Sequence, residues 1–193
     1  MSSQQKIQVR NLVLILMIVA AAAMRLVSFK YQQLSNFTPV GAIAIFGGTY
    51  FTDKWKAYLV PLITLFVSDI IINYLYFHKL ILWTSYAPFV YGSFLAMVFF
   101  GTLIKKVNVV NVILASVGGV LIHWLLTDIH PWLNGPEYSK GIMGYFHSLW
   151  NAIPFEKNML LGDLIYGTIL FGAFELAKSK YIFLRTKRDL ALA

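Results

Sequence analysis

Apolar residues along this chain come in long unbroken runs, and the polar residues collect in short clusters between them. Runs of that length and density predict helices that cross a bilayer, each needing about 20 apolar residues. The pattern predicts six, at residues 12–29, 38–52, 57–77, 82–104, 109–126 and 158–177. The second departs from the rest. Residues 36–51 read Asn-Phe-Thr-Pro-Val-Gly-Ala-Ile-Ala-Ile-Phe-Gly-Gly-Thr-Tyr-Phe, apolar but built from small side chains. Thr38 reads as a helix N-cap with Pro39 at the first helical position, and Ala44 and Gly48 are spaced for close helix packing. At 1.5 Å per residue this span covers only about 22 Å, so a thinned or protein-lined surrounding is expected. Pro61 falls in the first turn of the third span, where proline is tolerated.

One connection is long. After residue 126, Pro131, Asn134, Gly135 and Pro136 predict a loop. Ile142, Phe146, Leu149 and Ile153 then recur at helical steps, predicting an amphipathic outer segment at residues 139–153. It is too short and polar to span, and is expected on the membrane surface or over a pocket.

Composition agrees with a membrane protein. Hydrophobic residues make up 59% of the chain and charged residues 12%, outside the soluble balance. A length of 193 residues fits one membrane domain, residues 1–193. With no cysteine, disulfides, thiolate metal sites and cysteine nucleophiles are excluded. The net charge of +8 is spread between the apolar runs, which argues for membrane orientation and against nucleic acid. Lys6, Arg10, the first run and the alanines at 20–23 imitate a secretory signal, but the further spans favour a retained first helix. With the N-terminus inside, eleven of the basic residues fall on the cytoplasmic side and five on the other. The positive-inside rule therefore predicts an all-α bundle of six transmembrane helices with both termini cytoplasmic. The basic tail needs only anionic lipid as its partner.

Against that background the intramembrane polar residues stand out. Arg25 lies near the outer end of span one, Asp69 and Asn73 in the outer half of span three, His123 near the outer end of span five, and Asp163 about one turn inside span six. The start of span two, with Asn36, Thr38 and Gly41, is at the same depth, and its free N–H groups suit an anionic or carbonyl group. A charge in hydrocarbon costs a few kcal/mol or more, so such residues turn inward, pair, or line water. A plain Arg25–Asp69 or Arg25–Asp163 pair tying helices together is the bland alternative. The long connection adds Trp132 and Trp150, whose faces suit a planar ligand, although membrane interfaces collect such rings anyway. An outward-facing pocket for a small polar-edged molecule, needing neither cofactor nor metal, is the expectation. The competing class is a membrane enzyme or cofactor protein using His123, Asp69 and Asp163 as an acid–base set. No His-x-x-x-His or Glu-x-x-His spacing supports it, so no catalytic residue is assigned.

The motif at residues 36–48, Pro61 with Ser68-Asp69, the Trp/Asn/Pro-rich outer connection and Gly162-Asp163 together resemble an uncharacterised bacterial family of six-span proteins regarded as transporters. More remotely, the chain is similar to the S components of energy-coupling-factor vitamin transporters. That resemblance implies a substrate-capture protein of the bacterial inner membrane, binding a vitamin-like compound from outside. S components often dock an ATP-driven coupling module through an alanine-x-x-x-alanine signature. Here Ala20–Ala23 are followed four residues on by Met24, Arg25, Leu26 and Val27, so the signature is not met. Work without a dedicated coupling module is therefore expected.

Overall fold

The small-residue stretch becomes the centre of the molecule. In the computed structural model, which describes residues 2–26 and 31–186, it forms an eleven-residue helix, Val40–Tyr50, that packs against all five long helices. In chain order the helices are α1 (Ser3–Ala23), α2 (Val40–Tyr50), α3 (Lys54–Phe77), α4 (Ala87–Leu103), α5 (Val109–Thr127), α6 (Ile129–Asn134) and α7 (Ile142–Lys180). Single 3₁₀ turns lie at Gln32–Leu34 and Ile182–Leu184, and no strand occurs among the described residues. The end of the predicted first span, with Lys30, and the tail residues Lys187 and Arg188 lie outside the described residues.

Every residue of α2 except Thr49 is buried, so the helix has no lipid-facing side. Small side chains are what permit this. A Cβ on Gly48 would stand 2.2 Å from the Val98 carbonyl of α4, and one on Gly101 of α4 would stand 2.3 Å from the Ile45 carbonyl. The two backbones touch, as small residues allow in a bilayer. Phe46 and Tyr50 project the other way and stack edge-on with Phe171 and Phe174 of α7. The core is therefore built around α2 from residues of every neighbour, Leu14 and Ile18 of α1 among them.

The outside of the bundle is apolar. Large aliphatic residues such as Leu16, Ile63, Val67, Leu114 and Ile169 are half exposed, a surface that water would penalise and lipid accepts. Four helices, Gln4–Ala23, Lys54–Phe77, Val109–Asn134 and Ile142–Lys180, are long and apolar enough to cross a membrane, and α2 and α4 are shorter apolar helices. The chain is an all-helical membrane protein.

Several boundaries differ from those read in the sequence, each for a local reason. The expected outer segment at 139–153 and the span at 158–177 form one helix, α7, of 39 residues and about 58 Å. Pro154 and the polar run Glu156-Lys157-Asn158 look like a break, yet the helix runs through them. The expected loop at Pro131 starts as the short helix α6, with the proline in its first turn. Pro61 is interior to α3, which begins at Lys54, three residues earlier than expected. Thr38 is not the cap of α2: Pro39 holds that position, and no cap side chain from it bonds the helix.

The opposite end of the bundle holds basic residues that are not left to lipid. Arg10 donates from Nε to the Leu184 carbonyl at 2.9 Å and lies 5.6 Å over the Phe174 ring. Lys178 and the Tyr50 hydroxyl both meet Glu175 Oε1, at 3.0 and 2.5 Å. Arg185 folds back onto the carbonyls of Lys178 and Ser179, supplying acceptor-rich α7 with donors at its C-terminus. Arg10 and Lys178 are therefore buried parts of the fold.

Candidate functional site

Arg25, two residues past the end of α1, reaches α3. Its Nη1 donates to the Asp69 carboxylate at 2.7 Å, to the Ser68 hydroxyl, and to the Leu65 carbonyl at 3.4 Å. The other carboxylate oxygen of Asp69 accepts from the Tyr91 hydroxyl of α4 at 3.0 Å. One turn along α3, Asn73 reaches the Ile81 carbonyl at 3.4 Å, bracing the segment before α4. The spacing of Asp69 and Asn73 along α3 is thus used on two neighbours of a single opening.

That opening is a cavity of about 410 Å³, lined by Arg25, Asn36, Thr38, Asp69, Asn73 and His123 among the polar residues. Val90 and Phe94 of α4 and Met159 of α7 supply apolar wall. Six residues singled out in the sequence thus meet around one space, from α1, the 31–39 segment, α3 and α5. The Arg25 and Asp69 side chains keep 14% and 26% of their exposure, so the pair faces space and is not sealed in protein.

His123 sits deeper. Its Nδ1 meets both carboxylate oxygens of Glu156, at 3.0 and 3.1 Å, and both side chains are buried. Bonding a carboxylate requires a proton on Nδ1, which orders the ring. Glu156 lines a second cavity of about 330 Å³ with Asp128, Ser148, Tyr138 and Asn151 under the outer connection. Asn36 and Tyr86 line both cavities, so the His123–Glu156 pair stands in the wall between two adjoining spaces. Asp128 is itself held by the Ser148 hydroxyl at 2.8 Å.

Asp163 behaves otherwise. It is fully buried on α7, and its Oδ1 accepts the Ala42 N–H of α2 at 2.8 Å. Ala42 is the third residue of α2, the position a capping side chain serves. Asp163, from another helix, therefore supplies the capping bond that the N-cap residue Pro39 cannot make. Gly41 admits it, since a Cβ there would lie 2.3 Å from Oδ2. Beside it Gly162 admits the Thr38 backbone, whose oxygen would be 2.8 Å from an added Cβ. The N-terminus of α2, expected to face a ligand, is filled by the chain's own carboxylate. Gly41 and Asp163 accordingly do not line the 410 Å³ cavity.

The two tryptophans do not line either cavity. Trp132 donates to the Ser139 carbonyl at 3.1 Å and stacks on Tyr145, holding the connection together. Trp150 is 72% exposed and points away from the bundle, as interfacial rings do. Asn36 is exposed at the mouth, with φ of 63°, a left-handed conformation that asparagine tolerates better than most residues.

Glu156 and Asn158 escaped sequence reasoning. Glu156 stood in what read as a polar boundary, so nothing marked it as the partner of His123. Asn158 donates to the Gln33 and Ser35 carbonyls at 3.1 and 3.0 Å, tying the 31–39 segment to α7. Their place on one long helix with Asp163 was the available signal, hidden by ending the outer segment at 153 and starting the last span at 158. Among the described residues no group of three His, Asp or Glu side chains is placed to hold a metal ion.

Residues 5–187 match a family of unknown function (DUF6580). No curated protein and no solved structure matches the chain.

Proposed function

The chain belongs to the DUF6580 family, and we propose that it is a membrane transport protein that captures a small molecule in the cavity between α1, α3, α4 and α5. The observation that carries this reading is the convergence of Arg25, Asn36, Asp69, Asn73 and His123 on one space of about 410 Å³. That volume is in the range of small-molecule sites, and its apolar wall with a few directed polar groups is their usual make-up. In this reading α2 and α4 join the four longer helices as crossings, giving six spans in the bacterial inner membrane. The Arg10–Leu184 contact supports both termini on one side, the basic and hence cytoplasmic one, which leaves the cavity facing out. The 31–39 segment, tied down by Asn158, forms its rim. An S-component-like capture role, working without a dedicated coupling module, is the transport mode proposed.

The acid–base alternative needs His123, Asp69 and Asp163 in one space. Asp163 is committed to α2, and His123 to Glu156. Capture is the better supported reading.

The test is extraction of the protein directly into lipid nanodiscs, followed by mass spectrometry of small molecules released on denaturation. The wild type should retain one compound near stoichiometry, and Val90→Trp, which fills the cavity, should lose it. Equal retention by both proteins, or none by the wild type at saturating supply of cell extract, would count against the reading.

A further inference from the structure

The smaller cavity, of about 330 Å³ under the outer connection, has acidic walls. Phenols apart, the lining groups that carry or can carry charge are Asp128 and Glu156, and among the described residues no lysine or arginine lines the space. His123 stands behind Glu156 and meets both of its oxygens. With protons on both ring nitrogens, His123 neutralises Glu156 and Asp128 leaves one negative charge; with a proton on Nδ1 alone, two remain. Lys140, the lysine of the outer connection, is turned to the carbonyls of Trp132 and Gly135. A carboxylate taken this far out of water without a cation is costly.

Asp128 also has an oxygen to offer. The residue is only 6% exposed, and its Oδ1 accepts from the Ser148 hydroxyl at 2.8 Å. Oδ2 has no hydrogen-bond partner among the described residues. It is not sealed in protein either, since the sealed unpartnered side-chain atoms belong to Asn11, Arg25 and Asp163. A buried carboxylate thus keeps one oxygen open and unmatched on the cavity. The rest of the wall narrows the kind of cation. Tyr86, Tyr138 and Phe155 bring three rings to the same space, and an aromatic face attracts an organic cation. A bare metal ion needs several ligands closing on one point, and among the described residues no three acidic or histidine side chains do so. A volume of about 330 Å³ lies at the lower end for small-molecule sites and is more than one ion fills. Asn151 donates to the Tyr138 hydroxyl at 3.4 Å at the exposed end, where a ligand would enter.

We propose that this smaller cavity is a binding site for an organic ammonium ion, its charge on Asp128 Oδ2 and its alkyl groups against Tyr86, Tyr138 and Phe155. The site is separate from the larger cavity and does not depend on that cavity's holding a substrate. One positive charge offsets Asp128, the open oxygen gains a partner, and the rings replace the water that the alkyl part sheds. A carboxylate or phosphate ligand would add negative charge to an acidic wall, and a neutral ligand would leave Asp128 uncompensated. The ammonium belongs either to a free amine or to a lipid headgroup, the chemistry at Asp128 being the same.

The probes are ethylammonium, ethanolamine, choline and tetramethylammonium, titrated by calorimetry into the full chain in maltoside micelles, which carry neither charge nor amine. The tightest binder should exceed its neutral isostere, with carbon in place of the ammonium nitrogen, at least tenfold. Asp128→Asn keeps an acceptor for Ser148 and should lose at least tenfold for the ammonium, with the isostere unchanged. Asn151→Trp, at an exposed position of the mouth, should exclude the ligand, and it serves as the test if the Asp128 variant fails to fold. Val90→Trp fills only the larger cavity and should bind the ammonium normally. Short-chain phosphatidylethanolamine is compared with ethanolamine to assign the source: tighter binding of the lipid makes the ligand a headgroup, and tighter binding of ethanolamine makes it a free amine. The proposal is overturned if no ammonium binds, if the isostere binds as well, or if a folded Asp128→Asn or Asn151→Trp binds normally. An Asp128-dependent signal from sodium or magnesium chloride, with none from the amines, overturns it too. So does loss of ammonium binding in Val90→Trp, which would place the amine in the larger cavity. If the ammonium binds as stated and Val90→Trp retains the same compounds as the wild type in nanodiscs, this site stands and only the capture role of the larger cavity fails.

Discussion

Asp69 and Asp163 are both aspartates within apolar helices at the same end of the bundle, and their surroundings have little in common. Asp69 pairs with Arg25, accepts from Tyr91, and keeps about a quarter of its side chain open to a cavity. Asp163 has no exposure, touches Gly41, and holds one backbone N–H of α2. An intramembrane carboxylate is therefore not one kind of evidence. Where it meets space it points to a ligand; where it meets a helix end it is part of the scaffold.

The sharpest way to break this comparison is to attack the scaffold side. Gly41→Leu drives a side chain into the Asp163 carboxylate and should cost about 3 kcal/mol, at the upper end for overpacking, with a matching fall in yield and melting temperature. A normal melting curve would mean that α2 and α7 are not locked at this point. Asp163→Ala removes the cap and should cost about 1–3 kcal/mol, the price of an unmatched buried N–H. Asp163→Asn keeps an acceptor and should recover most of that loss. Failure of asparagine to rescue would show that the negative charge, and not the hydrogen bond, is what α2 requires.

Asn36 sharpens the site side. From the sequence alone, Asn36→Ala is expected to leave folding nearly intact. The φ of 63° changes that expectation, because alanine is disfavoured in the left-handed region. Asn36→Ala should cost about 1 kcal/mol in thermal unfolding, while Asn36→Gly should be close to neutral. Ligand binding measured on the glycine variant then isolates the side chain at the mouth. At the small end, Trp150→Ala should change both stability and retained compound little, within about 0.5 kcal/mol, because the ring is exposed. A clear loss of ligand would return Trp150 to the site.

Much of this organisation could be read from the residues. The run of small side chains at 40–48 signals a helix packed on all sides, and α2 is that helix. Arg25, Asp69, Asn73 and His123 declare themselves by being polar in apolar runs. What the runs conceal is which polar groups meet, because partners come from distant segments. Nothing local links Glu156 to His123, and Asp163 caps a helix more than a hundred residues earlier. Pro154 misleads differently. A proline removes one helical hydrogen bond, but in a packed helix the neighbouring turns hold the direction, and α7 continues. The aromatic residues overstate the site, since the same rings suit a ligand, a loop and a membrane surface.

The division of roles between the two aspartates is tested most directly by one paired measurement. Arg25→Gln combined with Asp69→Asn, which leaves no charge unpaired, and Asp163→Ala are purified in the same nanodiscs, and melting temperature and retained small molecule are recorded for each. The double variant should lose the compound and keep its melting temperature to within a few degrees, while Asp163→Ala should melt markedly lower and retain compound in whatever fraction stays folded. The reverse pattern, or the same response from both variants, would contradict the account.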